Sequence, residues 1–239
     1  METKQGGEMI IRAMGAKAAC VEALVREVNT QGKNYACCHH VRVYDEDILT
    51  ITYNQDAPKI LMDDILRHCV EELDESIYAL DNCTLEQQLV SLLKIRGGML
   101  SVAESFTGGG VGRRIVSVSG ASEVYFEGLN TYNELSKMQR LGVNEYTLKS
   151  FGAVSEQTAY EMAAGLMATG NCDISIATTG LAGPKTDRTM LPVGLCYVAI
   201  GTRESVYVYR YKFDGTREEI TEKAINYALF LAYKQLKNM

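Results

Sequence analysis

From Met99 onward, short apolar runs suited to strands alternate with segments whose apolar residues recur every three or four positions. That alternation leaves few ways to build a core, because each strand's apolar face has to be covered by the helix that follows it. Met99 to Ala103 reads as a strand, Thr107 to Val118 as a helix and Glu123 to Thr131 as an extended segment. Ser155 is placed to cap the helix of EQTAYEMAAGLMA, and DISIATTG is a β-run that stops at a glycine. VGLCYVAIG and SVYVYRYKF read as adjacent strands, the second with an aromatic at every other position from Tyr207 to Phe213. Thr216 and Glu219 form a capping box that opens a last helix through Ile220, Ala224, Tyr227, Ala228 and Leu231. The pattern predicts a layered α/β domain with a mixed sheet.

A different pattern precedes it. EMIIRAMG reads as a strand, AACVEALVREV as a helix, and HHVRVYD and ILTITYN as two strands around the turn-like Asp45-Glu46-Asp47. PKILMDDILRHCVEEL follows as an amphipathic helix with proline near its start. This β-α-β-β-α unit ends at a seam, where Thr84 and Gln87 make a capping-box pattern ahead of Leu85, Leu89, Leu92 and Leu93. The expected division is a small α+β domain over residues 1–81 and an α/β domain over 82–239.

Composition narrows the class. With 239 residues, 46% of them hydrophobic, the chain can fill two modest cores. No stretch approaches the roughly 18 apolar residues of a membrane span, and the opening METKQGGEM has no apolar signal region, so a cytoplasmic protein without a membrane partner is expected. Seven cysteines without a C-x-x-C pair fit reduced thiols. The net charge of −6 argues against indiscriminate binding to nucleic acid. Cys37-Cys38-His39-His40 holds metal-binding residue types, but neighbours on a strand face opposite ways, so at most two converge and no metal site is expected.

The stretch V-A-E-S-F-T-G-G at 102–109 bears most on function. In α/β sheets ligands lie at the carboxyl ends of strands, and glycines let backbone approach a ligand. Amides at the following helix start are then available to an anion or oxyanion. Locally, an ordinary strand-to-helix turn with Ser105 or Thr107 as the cap explains the same residues.

Five ordered motifs decide between these readings. V-A-E-S-F-T-G-G resembles the A-E-S-C-T-G-G motif of the C-terminal domain of CinA, the competence-damage-inducible protein family that includes nicotinamide mononucleotide amidohydrolases. L-N-T-Y-N-E-L-S-K is similar to the family's T-Y-S-N-E-A-K, and F-G-A-V-S-E to its Y-G-A-V-S-E. T-T-G-L-A-G-P and the later P-V-G resemble T-G-I-A-G-P and P-V-G, and F-D-G-T-R-E-E-I resembles the last strand-to-helix junction, which carries an arginine. The resemblance covers residues 84–236 and implies a three-layer α/β/α domain with a mixed sheet, preceded by a small α+β domain like the KH-type middle domain of CinA. It leaves out the family's larger N-terminal domain, similar to molybdopterin-binding proteins, to which its ADP-ribose pyrophosphatase activity belongs. A homodimer is also implied.

The activity implied is hydrolysis of the carboxamide of nicotinamide mononucleotide, which requires a nucleophile, a proton carrier and an oxyanion site. Ser105 matches the family's nucleophile. All three histidines (His39, His40, His68) fall in the first domain, so a Ser-His-Asp triad within the second is excluded by composition. Lys137 matches the family's lysine base, and to act it needs its pKa pulled down from about 10.4 by burial or a nearby cation. Tyr132 matches a tyrosine that relays the proton or holds the Ser105 hydroxyl, and Thr179 a threonine lining the same pocket. Amides around Thr107 and Gly108 are the candidate oxyanion hole. Gly109, Gly180, Gly183, Lys185 and Arg217 complete the expected substrate contacts. This chemistry requires neither metal nor redox cofactor. Without the resemblance, Lys137 reads as a solvated surface lysine, Tyr132 as a core aromatic and Thr179-Gly180 as a strand end.

The chain departs from the pattern at three places. Phe106 stands where the family has a cysteine or another small residue, putting a large ring beside the nucleophile. Asn133 and Glu134 are each one position nearer Tyr132. After Pro184, K-T-D-R-T-M-L replaces G-G-G-T-P-E-K, leaving Lys185 or Arg188 to contact phosphate by charge. A catalytically weak relative that binds a nucleotide or other ligand in the same pocket is the alternative. In the first domain no G-x-x-G loop with flanking lysines is present, so a packing role is expected there rather than nucleic-acid binding.

Overall fold

A computed structural model of the chain describes residues 6–186 and 190–239. It divides into two compact units, Met1–Thr84 and Leu85–Met239. In the first, β1 (Gly7–Met14), α1 (Ala18–Gly32), β2 (Ala36–Val43), β3 (Glu46–Tyr53), α2 (Lys59–Leu73) and β4 (Ile77–Ala79) form a four-stranded antiparallel sheet ordered β2-β3-β1-β4. Ile11, Leu49 and Ile51 pack beneath the helices with Val21, Leu24, Val28, Ile65 and Cys69. The β2–β3 turn is Tyr44-Asp45, both at positive φ, so Glu46 and Asp47 belong to the strand rather than to the turn expected at 45–47. The short β4 carries too few residues to show a period, and pairing with β1 defines it.

Asp47 has no exposed surface and takes hydrogen bonds from His40 Nε2 (2.8 Å) and Arg42 NH1 (3.1 Å). Burial raises its pKa while these partners oppose the rise. His40 is therefore tied to a carboxylate. Cys37 and His39 share the other face of β2, their Sγ and Nε2 3.7 Å apart, so the Cys-Cys-His-His run is divided between the two faces. All seven cysteines are free thiols.

The second unit runs α3 (Leu85–Arg96), β5 (Leu100–Glu104), α4 (Gly110–Val116), β6 (Tyr125–Asn130), α5 (Glu134–Leu141), α6 (Glu145–Phe151), α7 (Glu156–Ala168), β7 (Ile174–Gly180), β8 (Leu195–Thr202), β9 (Val206–Lys212) and α8 (Arg217–Asn238). Its sheet is ordered β6-β5-β7-β8-β9, parallel across β6-β5-β7 and antiparallel across β7-β8-β9. Alternation along the strands separates the two faces. Ala103, Ala177 and Ala199 pack against Ala159, Met162 and Ala163 of α7, with Leu141 of α5 and Leu148 of α6. Cys196, Ala182 and Phe213 pack on the other face against Ile220 and Ala224 of α8. The unit is thus a three-layer α/β/α domain with a mixed sheet. Capping fixes its helices: the Ser155 side chain accepts from Thr158 N, and Thr216 and Glu219 complete a reciprocal box. Among the described residues no helix is long and apolar enough to cross a membrane.

Candidate active site

The central strand of the parallel set is β5, flanked by β6 and β7, so their carboxyl ends lie side by side. Three segments distant in sequence meet there. Thr131 N donates to Glu104 O at 2.8 Å, extending the β5–β6 pairing by one residue, and Ser105 N donates to Thr178 O at 3.1 Å on the β7 side. In the strand register Ala103 lies opposite Leu129 and Glu104 opposite Asn130. Ala103 and Leu129 both face the α7 layer, and with period two Ser105 and Thr131 are directed to that layer as well.

Lys137 reaches this point from α5. The helix has eight residues and is fixed at both ends, with the Asn133 side chain accepting from Leu135 N and Gly142 closing it at φ 68°. Lys137 and Leu141, four residues apart, form its buried face. The lysine is 1% exposed, against the surface position its residue type suggests. Its Nζ lies 3.0 Å from Ser105 Oγ, 2.6 Å from Thr131 O and 3.5 Å from Tyr132 O. Burial lowers its pKa from 10.5 to about 8, against a smaller upward push from Glu134. Both protonation states are accommodated: an ammonium donates to all three oxygens. A neutral amine keeps its two donors on the carbonyls and turns its lone pair to the Ser105 hydroxyl.

The loop after Ser105 is held from inside the protein. Glu104, 1% exposed, accepts hydrogen bonds from the amides of Gly109 (3.1 Å), Val111 (3.1 Å) and Gly112 (2.9 Å). The first amides of α4, expected to face an anion, are therefore taken by a buried carboxylate. Gly108 and Gly109 sit at φ 61° and 94°, a backbone the right-handed helix excludes, and α4 accordingly begins at Gly110 rather than at Thr107. Gly108 N closes a turn onto Ser105 O at 3.1 Å. The amides of Phe106 and Thr107, the central residues of that turn, donate no hydrogen bond among the described residues. The Thr107 hydroxyl meets that of Thr178 at 2.7 Å.

Other sequence candidates are placed differently. Tyr132 is 67% exposed, and its carbonyl rather than its hydroxyl meets Lys137. The Thr179 hydroxyl donates to Ala153 O at 2.6 Å, tying β7 to the loop ahead of α7. Gly180 is required by packing, since a Cβ there would lie 2.5 Å from Cys196 Cβ. Gly183 O accepts from Arg217 NH1 at 2.7 Å, so the arginine holds the loop after β7, and Lys185 is exposed. Asp187 and Arg188 lie outside the described residues. The Phe106 ring does not stand beside the nucleophile as expected: it is buried with Ala182, Cys196 and Phe213 against α8, on the opposite side of the sheet from Lys137. Residue type alone did not single out Glu104, Thr178 or Thr131. Thr131 carries a fully buried hydroxyl with no hydrogen-bond partner among the described residues, a cost of roughly 1–3 kcal/mol.

The arrangement of a buried lysine on a serine can perform acyl transfer. The sequence profile of the CinA C-terminal domain matches residues 82–236. A CinA-like protein of Kosmotoga olearia is 34% identical over 92% of this chain and 54% of its own length. A relative in Caldicellulosiruptor saccharolyticus, named for competence-damage induction, is 35% identical over 96% of this chain and 56% of its own. This chain thus spans little more than half the length of these relatives. Among solved structures, a CinA superfamily protein of Klebsiella pneumoniae superposes with a TM-score of 0.63 at 29% identity, covering 65% of this chain and 97% of that one. The chain therefore belongs to the CinA family, with its second unit as the CinA C-terminal domain.

Proposed function

We propose that the second unit hydrolyses the carboxamide of nicotinamide mononucleotide to nicotinic acid mononucleotide and ammonia, with Ser105 as nucleophile and Lys137 as base. The observation that carries this reading is the 3.0 Å contact between Lys137 Nζ and Ser105 Oγ, made by a lysine whose burial brings its pKa to about 8. Neutral Lys137 takes the Ser105 proton as Oγ bonds to the amide carbon, and the carbonyl oxygen gains negative charge. The unused Phe106 and Thr107 amides are the donors suited to that oxygen, as is common for the residue after a nucleophilic serine. The Lys137 ammonium then gives its proton to the leaving nitrogen and the C–N bond breaks, releasing ammonia and leaving an acyl ester on Ser105. Water attacks the ester with its proton passing to Lys137, and the acid departs as Ser105 is reprotonated. A homodimer in a reducing cytoplasm belongs to the same proposal, supported by the family and by seven free thiols.

The test is ammonia release from nicotinamide mononucleotide, with nicotinamide and NAD compared at equal concentration. Release from the mononucleotide supports the reading. Folded protein that releases ammonia from none of the three would put forward the second reading, a ligand-binding relative without turnover, which the altered Lys185–Leu191 sequence favours.

The pH dependence follows from the base. Only neutral Lys137 accepts the proton, so kcat/KM is expected to rise about tenfold per pH unit below the lysine pKa and to level above about 8. A rate independent of pH between 6 and 9 would remove Lys137 from that role.

A further inference from the structure

Two side chains of the first unit take no part in the chemistry described above. Cys37 and His39 project from one face of β2, both are exposed, and Sγ lies 3.7 Å from Nε2. Thiolate and imidazole are donors that suit zinc. A zinc ion about 2.3 Å from the sulfur and about 2.0 Å from the nitrogen, at a tetrahedral angle, sets its two donors about 3.6 Å apart. The observed separation is thus already that of a chelate.

The backbone beneath the pair is held on both sides. Cys37 lies opposite Thr52 and His39 opposite Thr50 in the antiparallel pairing of β2 with β3. Between them, Cys38 N donates to Asn29 Oδ1 at 2.7 Å and Cys38 O accepts from Asn29 Nδ2 at 3.2 Å. A side chain of α1 therefore completes the outer edge of β2 at this point, as another strand would. Period two then carries Cys37 and His39 together onto the exposed face. Cys38 and His40, on the buried face, are committed elsewhere: the Cys38 thiol donates to His39 O at 3.9 Å, and His40 Nε2 meets Asp47 Oδ1 at 2.8 Å. Neither Cys37 nor His39 has a further side-chain partner among the described residues.

We propose that Cys37 and His39 form a two-ligand site for a zinc ion. Among the described residues no third histidine, cysteine, aspartate or glutamate joins them, so the other two tetrahedral positions fall to water. On binding, zinc bonds to the Cys37 sulfur as the thiol proton leaves to solvent, and the neutral His39 ring gives its Nε2 lone pair. Hard cations such as magnesium are not held, because the pair offers them no oxygen. The site stands in a different unit from Ser105 and Lys137 and does not depend on the amidohydrolase reading.

Cobalt(II) reports on such a site, because it takes the place of zinc and shows a thiolate-to-cobalt charge-transfer band in the near ultraviolet. The full chain, kept reduced with a phosphine, is titrated with cobalt chloride. One equivalent is expected to raise the band, zinc to remove it and excess magnesium to leave it. Cys37→Ser is expected to abolish the band, and His39→Gln to weaken cobalt binding by about tenfold or more. Cys20→Ser, which removes the other exposed thiol, is expected to change nothing. A band that survives Cys37→Ser places the metal elsewhere, equal affinity in His39→Gln reduces the site to a single thiol, and a band that needs millimolar cobalt reflects chance contact; each overturns the proposal. The three side chains are exposed, so the variants are expected to fold, which their thermal transitions check. A further measurement needs no variant: zinc is expected to slow alkylation of Cys37 by iodoacetamide about tenfold while Cys20 keeps its rate. A Cys37 rate that is the same with and without zinc also overturns the assignment.

Discussion

Ammonia release by Ser105→Ala or Lys137→Met is expected to fall by roughly 10⁴-fold or more, and the double variant to fall little further. In the proposed mechanism the two side chains act as one unit, so either loss removes the same step and the effects do not add. The two variants separate in stability. In the folded protein Lys137 titrates near 8 and in the unfolded chain near 10.5, so between these values the unfolded chain holds more protons. Stability contributed by this group therefore rises with pH from about 8 to about 10.5. Below 8 the lysine is charged in both states and the burial cost stands in full, on the order of 3 kcal/mol. Lys137→Met removes this cost and fills the same space with an apolar chain, while leaving Thr131 O without its donor at 2.6 Å. The variant is expected to be at least as stable as the parent at pH 7, and to lose the rise in stability above pH 8. Denaturant titrations at pH 7 and 10 measure both. A Lys137→Met protein that keeps its rate excludes the lysine base, and one destabilised by several kcal/mol at pH 7 shows that the lysine was retained for structure.

The second large effect is expected at Glu104. Glu104→Ala removes one acceptor from three amides at the start of α4 and leaves a cavity where the carboxylate sat, at a cost of roughly 3–5 kcal/mol. Glu104→Gln retains one acceptor oxygen but sets an amide donor against backbone donors, and is expected to cost about half as much. Glu104 faces the interior and touches no reacting group, yet the turn from Ser105 to Gly108 begins at its own backbone. The rate is therefore expected to fall with the geometry of that turn, and the acid limb set by Lys137 to stay in place. Stability unchanged to within about 1 kcal/mol in Glu104→Ala would mean that water replaces the carboxylate without consequence.

Much of the architecture is legible in residue order. The β-run of DISIATTG that stops at a glycine, the alternating aromatics of β9, and the capping signals at Ser155 and Thr216 locate the elements around the sheet to within a few residues. The helices of the ELSKMQRL and EYTLKSF segments are harder to see, because each is only about two turns long and largely polar. In the structure Asn133 and Asn144 cap them, each side chain accepting from the amide two residues on. Phe106 shows the converse limit. Its proximity to Ser105 in sequence suggests a crowded pocket, whereas its ring lies on the other side of the sheet.

At the site itself, order along the chain determined which residue types are available: a serine at the end of a strand, no histidine in the second unit, and one lysine at the end of a motif. Only the tertiary structure decided that this lysine is buried against the Ser105 hydroxyl. A lysine on a polar helix is solvated unless the helix turns that face inward, and what turns it is the parallel pairing of β5 with β6, which ends α5's connecting loop at Thr131 O. The same strand register sends Ser105 to one side of the sheet and the Glu104 carboxylate to the other. Adjacent residues of V-A-E-S thereby receive different work, one meeting the Lys137 amine and the other holding the loop that follows.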